Sequence, residues 1–159
     1  MTNRPEKGDK APQVTLPLSD KDSVNLGAPS GNAHIVYFYP RDNTPGCTTE
    51  AVDFSALKRK FEALGVQIVG VSKDSLKSHA NFMTKKDLTI MLASDEHGDA
   101  SEQFGVWVEK NMYGKKYMGI ERSTFLIKTG GEIAEIWRKV KVKGHAAAVL
   151  EATEAILSA

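Results

Sequence analysis

Cys47 is the only sulfhydryl in the chain, and it stands in Pro40-Arg41-Asp42-Asn43-Thr44-Pro45-Gly46-Cys47-Thr48-Thr49-Glu50. The strand-like run Ile35 to Tyr39 precedes it, and an amphipathic helical pattern starting near Thr48 follows it. A thiol at such a junction meets the unpaired N–H groups and the positive end of the helix macrodipole, which favour the thiolate and so make a nucleophile. Thr44 carries a hydroxyl that both donates and accepts, and its place on the same loop can bring it near the sulfur. Pro40 has no N–H and a compact apolar ring, suited to shielding the sulfur without competing for it. Pro45-Gly46 turns the chain and lifts the cysteine to the helix start. A permanently charged partner is found far downstream, in Gly119-Ile120-Glu121-Arg122-Ser123-Thr124-Phe125. Arg122 keeps its charge when partly buried and offers a planar fork of donors to a thiolate or to developing negative oxygens. Together these residues suit attack on an electrophilic oxygen.

The elements that must position them read as alternating β and α. Val14 to Leu16 and Val24 to Leu26 predict two short strands around the turn Ser19 to Asp22, and Ala28 to Asn32 predicts a loop. Near-continuous apolarity from Ile35 to Tyr39 suits a strand buried on both faces. Ala51, Phe54, Leu57, Phe61 and Leu64 recur at spacings of three and four, a helical stripe that Gly65 ends. Further expectations are a strand over Val66 to Val71, a helix from Ser75 to Lys86, a short strand over Thr89 to Leu92 and a helical turn from Asp99 to Phe104. Ser123 to Ile127 and Ile133 to Val140 predict a hairpin about Thr129-Gly130-Gly131, and Ala146 to Leu157 a closing helix. The fold class expected is α/β, a mixed central sheet flanked by helices with a short N-terminal β extension.

At 159 residues, with 41% hydrophobic and 26% charged residues, one globular domain spanning 1–159 is expected. A formal charge of +1 gives no global field that would draw nucleic acid or anionic membrane. One cysteine builds no disulfide framework. Met1 to Lys7 lacks the apolar core of a signal peptide, and no run reaches bilayer-spanning length, so a cytoplasmic location is expected. His34, His79, His97 and His145 lack metal-ligand spacing, and His145 reads as structural. Asp95-Glu96-His97-Gly98-Asp99 reads as a solvated loop rather than a calcium site. Lys139, Lys141 and Lys143 alternate on an extended segment and predict one solvated face. Trp107 and Trp137 read as packing residues, with Trp107 a candidate to line the approach to the sulfur. Glu50 has two open readings: an acceptor for Arg122, or an acidic residue favouring the helix N-terminus.

The string Pro40-x-x-x-Thr44-x-x-Cys47 after an aromatic strand, with Arg122 downstream, resembles the active-site signature of the peroxiredoxins. The wider match, which includes Gly70-Val71-Ser72, Gly105-Val106-Trp107, Met112-Tyr113-Gly114-Lys115 and Val142-Lys143-Gly144-His145, is to the bacterioferritin comigratory protein, or peroxiredoxin Q, subgroup. The likeness runs from about Gly8 to the C-terminus. It implies a thioredoxin-like fold, monomeric state, and reduction of hydrogen peroxide and organic hydroperoxides. Cys47 would be the peroxidatic nucleophile, passing through a sulfenic acid, with Thr44, Arg122 and Pro40 completing the site. No metal or organic cofactor is implied, because sulfur itself carries the redox change.

Members of this subgroup often carry a resolving cysteine five residues after the first or in the next helix. Here those places hold Val52 and Met83. A thioether forms no thiolate and cannot attack a sulfenic acid. The resemblance is therefore to a one-cysteine variant that needs an external thiol: thioredoxin, glutaredoxin or glutathione. The same site chemistry would serve a peroxide sensor that passes oxidation to a partner protein, and an inert cysteine would leave a thioredoxin-like binding module.

Overall fold

The computed structural model describes residues 4–158, so the first three residues of the segment tested for a leader lie outside it. A five-stranded sheet runs through the centre in the order β5-β4-β3-β8-β9. Its strands are β3 (Ala33–Phe38), β4 (Val66–Ser72), β5 (Met91–Ser94), β8 (Ser123–Lys128) and β9 (Ile133–Trp137). The first three are parallel, because each is joined to the next by a crossover containing a helix. β8 pairs antiparallel with β3 and with β9, so the sheet is mixed. Two short hairpins lie outside it: β1 (Thr15–Pro17) with β2 (Ser23–Asn25), and β6 (Trp107–Met112) with β7 (Lys115–Ile120).

All six residues of β3 are buried, as its unbroken apolar run requires. Ile35, Tyr37 and Tyr39 point into one core, with Phe54 and Phe61 of α1 (Pro45–Ala63), Phe82 of α2 (Leu76–Lys86) and Val149 of α4 (His145–Leu157). Val36 and Phe38 point to the other face, against Leu16, Leu26 and Phe104, the last just beyond the short α3 (Ala100–Gln103). Cys47 belongs to the first core.

Three expectations are corrected. The strand placed at Thr89 to Leu92 pairs only from Met91. Asp87 closes α2 in the left-handed region, and Leu88 and Ile90 use the next residues to enter the core before β5 begins. The returning strand ends at Trp137, and Lys139 at φ 50° breaks the extended chain, so Lys139, Lys141 and Lys143 share no strand face. Asp95 is fully buried: it accepts from Ala100 N–H, Ser101 N–H and the Ser101 hydroxyl, and Lys73 Nζ lies 3.2 Å away. Asp95 thus anchors α3, while Glu96 to Asp99 remain an exposed loop as expected. Trp107 packs against the core opposite Cys47, in keeping with its reading as a packing residue, and takes the Lys73 ammonium over its ring at 5.2 Å.

Candidate active site

Thr44 has extended backbone angles and Pro45 opens α1, so the helix starts three residues earlier than its apolar stripe suggests. Proline is suited to that first helical position because its missing N–H would have had no helical acceptor. The first helical bond in the turn runs from Thr48 N–H to the Thr44 carbonyl. Cys47 therefore sits within the first turn of a 19-residue helix, among donors that lack helical acceptors and at the positive end of its dipole.

The cysteine is 2% exposed. Arg122, seventy-five residues away in sequence, donates from Nη2 to Cys47 Sγ at 3.3 Å and from Nη1 to Glu50 Oε1 at 2.6 Å. β8 delivers the arginine from the strand next to β3, and α1 presents Cys47 and Glu50 one turn apart on one face. The open question about Glu50 is settled in favour of the acceptor role. Burial raises the Glu50 carboxyl to about 7, against the pull of the Arg122 charge and its hydrogen bond. Burial opposes the Arg122 charge as well, yet the Glu50 and Cys47 charges outweigh it and raise the guanidinium's hold on its proton. Gly46 matters here in a way its turn chemistry does not reveal. A Cβ at that position would lie 3.3 Å from Arg122 Nη2, so the missing side chain leaves room for the guanidinium.

Thr44 is half-buried, and its hydroxyl donates to the Arg41 carbonyl at 3.0 Å. Its lone pairs are left to accept. Pro40 is exposed on the loop after β3. The loop itself is pinned through Asp42, whose buried carboxylate accepts from Tyr39 Oη at 2.6 Å, His79 Nδ1 at 2.7 Å and Ser78 Oγ at 2.8 Å. Burial alone would raise the Asp42 carboxyl, but these hydrogen bonds and the nearby His79 hold it below its ordinary value. His79 Nε2 faces the Ala93 carbonyl at 3.0 Å, so both ring nitrogens meet oxygen acceptors. Sequence reading missed this brace because Asp42, Ser78 and His79 become neighbours only when α2 packs against the loop.

His145 starts α4 and pairs with the Thr124 hydroxyl at 2.8 Å, edge-on to Phe54 and Trp137. Burial first, and the Arg122 charge second, lower it to about 4, so the ring is neutral. Asp42, Asp74 and His79 bring ligand-type atoms together, but every polar atom of Asp42 and His79 already has a protein partner. Val52 is 42% exposed on α1, and Met83 packs against the first core.

A thiol held against a guanidinium at a helix N-terminus, on a mixed sheet of this order, is the arrangement of a cysteine-dependent peroxidase on a thioredoxin-like fold. Comparison with known proteins agrees. The profile of the AhpC/TSA family matches residues 7–136. Peroxiredoxin Bcp of Xanthomonas campestris pv. campestris is 51% identical over 142 residues, 89% of each chain. The solved structure of the Xanthomonas campestris bacterioferritin comigratory protein, studied for alkyl peroxide reduction, superposes with TM-score 0.85 at 49% identity, covering 91% of this chain and 92% of that one. A cysteine-to-serine mutant of Xylella fastidiosa PrxQ superposes with TM-score 0.89 at 40% identity, covering 97% and 98%. The chain belongs to the AhpC/TSA family, within its Bcp, or peroxiredoxin Q, branch, and is a peroxiredoxin-type thiol peroxidase. No helix among the described residues is long and apolar enough to cross a membrane.

Proposed function

We propose that Cys47 reduces hydrogen peroxide and alkyl hydroperoxides through a sulfenic acid and that an external thiol closes the cycle. The observation that carries this reading is the Arg122 fork, one nitrogen 3.3 Å from the sulfur and the other held at 2.6 Å by buried Glu50. The helix N-terminus and the guanidinium stabilise the thiolate in a site sealed from bulk water. The thiolate attacks the terminal peroxide oxygen. The S–O bond forms as the O–O bond breaks, sulfur loses two electrons, and the leaving alkoxide or hydroxide takes a proton to become alcohol or water. Arg122 and the free N–H groups of the first turn receive the charge that grows on the oxygens. Thr44, its own hydrogen committed to Arg41, accepts from the peroxide O–H and sets its direction. Pro40, exposed at the start of the loop, contributes bulk without a competing donor.

Val52 and Met83 supply no second sulfur nucleophile, so the sulfenic acid is resolved from outside by thioredoxin, a glutaredoxin or glutathione. One thiol displaces hydroxide as water and forms a mixed disulfide. A second thiolate then attacks that disulfide and releases Cys47. Steady-state peroxide consumption with each reductant tests the cycle. Wild type should turn over with at least one of them and Cys47→Ser with none; retained turnover in Cys47→Ser would end this reading.

A further inference from the structure

A cavity of about 550 Å³ opens between the loop that leads to Cys47 and α2. Three cations line it, Arg41 from the loop and Lys77 and Lys85 from the helix. Among the described residues none of the three has an ion-pair partner. Lys77, Asn81 and Lys85 follow one another at intervals of four, so they form one stripe along α2. Asn43 faces them from the loop. The acidic Asp74 also borders the space; its Oδ2 is occupied by Asp42 N–H and the Ser72 hydroxyl, which leaves its other oxygen available.

We infer that this cavity holds the resolving reductant, and that its ligand is a small peptide thiol bearing carboxylates, of the glutathione class. The inference rests on the external-thiol cycle proposed above. The volume falls within the range of small-molecule sites, roughly 300–1,000 Å³. Lys77 and Lys85 are eight residues apart, about 12 Å along a helix. An extended tripeptide spans roughly 10–11 Å, so its two terminal carboxylates can each meet one lysine. The free Asp74 oxygen suits the ammonium of such a peptide, and the two asparagine amides suit its peptide groups. Loop residues 41–43 line the cavity and run directly into the Thr44–Cys47 turn, so the cavity and the sulfur share one loop; Cys47 itself is buried and outside the lining, and resolution needs that turn to open toward the bound thiol. Resolution then balances: the peptide thiolate attacks the Cys47 sulfur, an S–S bond forms, the S–O bond breaks, and the hydroxide leaves as water with one proton. A second peptide thiol reduces the mixed disulfide.

The test compares glutathione with 2-mercaptoethanol, a neutral thiol without carboxylates, at fixed hydrogen peroxide. In Lys77→Ala/Lys85→Ala the ratio of kcat/KM for glutathione to that for 2-mercaptoethanol should fall about tenfold, through KM, and Lys77→Arg/Lys85→Arg should retain most of it. An unchanged ratio would overturn the inference. Titration with S-methylglutathione, which has no free thiol, reads the cavity without turnover. Amide NMR shifts should move at residues 41–43 and along α2, and should weaken as salt is raised. Absent or scattered shifts would overturn the cavity assignment even if both thiols support turnover. If neither thiol regenerates Cys47, the small-thiol cycle fails, and the S-methylglutathione titration decides the cavity alone.

Discussion

In the proposed mechanism the chemistry is concentrated in one guanidinium. Arg122 spends one nitrogen on the sulfur and one on Glu50, so its position is fixed before a peroxide arrives. On the proposed mechanism, replacing it by methionine removes the donor to the sulfur and the donor to the breaking O–O bond. Loss of one such preorganised donor costs about 100- to 1,000-fold. Arg122→Met should therefore slow the second-order reaction of Cys47 with hydrogen peroxide by at least about 100-fold, measured by stopped-flow fluorescence; a loss below about threefold would remove Arg122 from the site. Two further residues set opposite pH dependences. His145 is lowered from 6.5 to about 4, so its contribution to stability is complete above about pH 6.5 and is lost as pH falls through 4. Glu50 is raised from 4.5 to about 7, so its contribution is complete below about pH 4.5 and is lost as pH rises through 7. Between pH 4.5 and 6.5 the two slopes oppose each other. His145→Gln removes one of them, and its urea midpoint should fall steadily as pH rises through that window while the wild type changes little. Parallel profiles for the two proteins would show that His145 is not held neutral.

At the scale of elements, α1 does two jobs: its N-terminus presents Cys47 and its apolar stripe fixes it to the sheet. Phe54 lies in that stripe, fully buried, stacked on Tyr37 at 4.8 Å and edge-on to His145. Phe54→Ala should destabilise the protein by about 3–5 kcal/mol in denaturant unfolding, as other large-to-small core changes do. A cost below about 1 kcal/mol would mean that α1 is anchored elsewhere. The stripe was legible in sequence because spacings of three and four survive wherever a helix has one buried side. The start of the same helix was not, since its first turn carries Pro45 and Gly46 in place of apolar markers. The hairpin β6–β7 escaped notice for a different reason. It covers little core, so Met112, Tyr117 and Met118 stay exposed and no inside–outside alternation forms. Its turn, Tyr113-Gly114 with φ of 52° and 82°, has the positive angles of a two-residue hairpin without the usual asparagine or aspartate in first place. Of the site, Cys47 and Arg122 were readable through their motif. The Glu50 contact and the Asp42–His79 brace depend on packing between elements distant in sequence.

For the molecule as a whole, the decisive fact is the single sulfur nucleophile. The sequence leaves no internal substitute: Val52 is on the surface of α1, and Met83, partly buried on α2, packs against the core. The brace of Tyr39, Asp42, Ser78 and His79 ties the Cys47 loop to that helix in the described state. In the proposed cycle the sulfenic acid, once formed, stays within reach of Arg122 and of the next peroxide until an outside thiol arrives. The sulfenate is itself a nucleophile, and a second peroxide carries it to sulfinic acid, from which ordinary thiols do not recover it. Graded hydrogen peroxide without reductant should thus add two oxygens to the intact mass, with loss of activity proportional to that species. Addition of an external thiol before the peroxide should suppress both. The only disulfides on non-reducing gels should be Cys47–Cys47 dimers or mixed disulfides with added thiol. A product that stays at one added oxygen under large peroxide excess would show that the folded site protects its sulfenic acid, and that waiting for an external thiol carries no oxidative penalty.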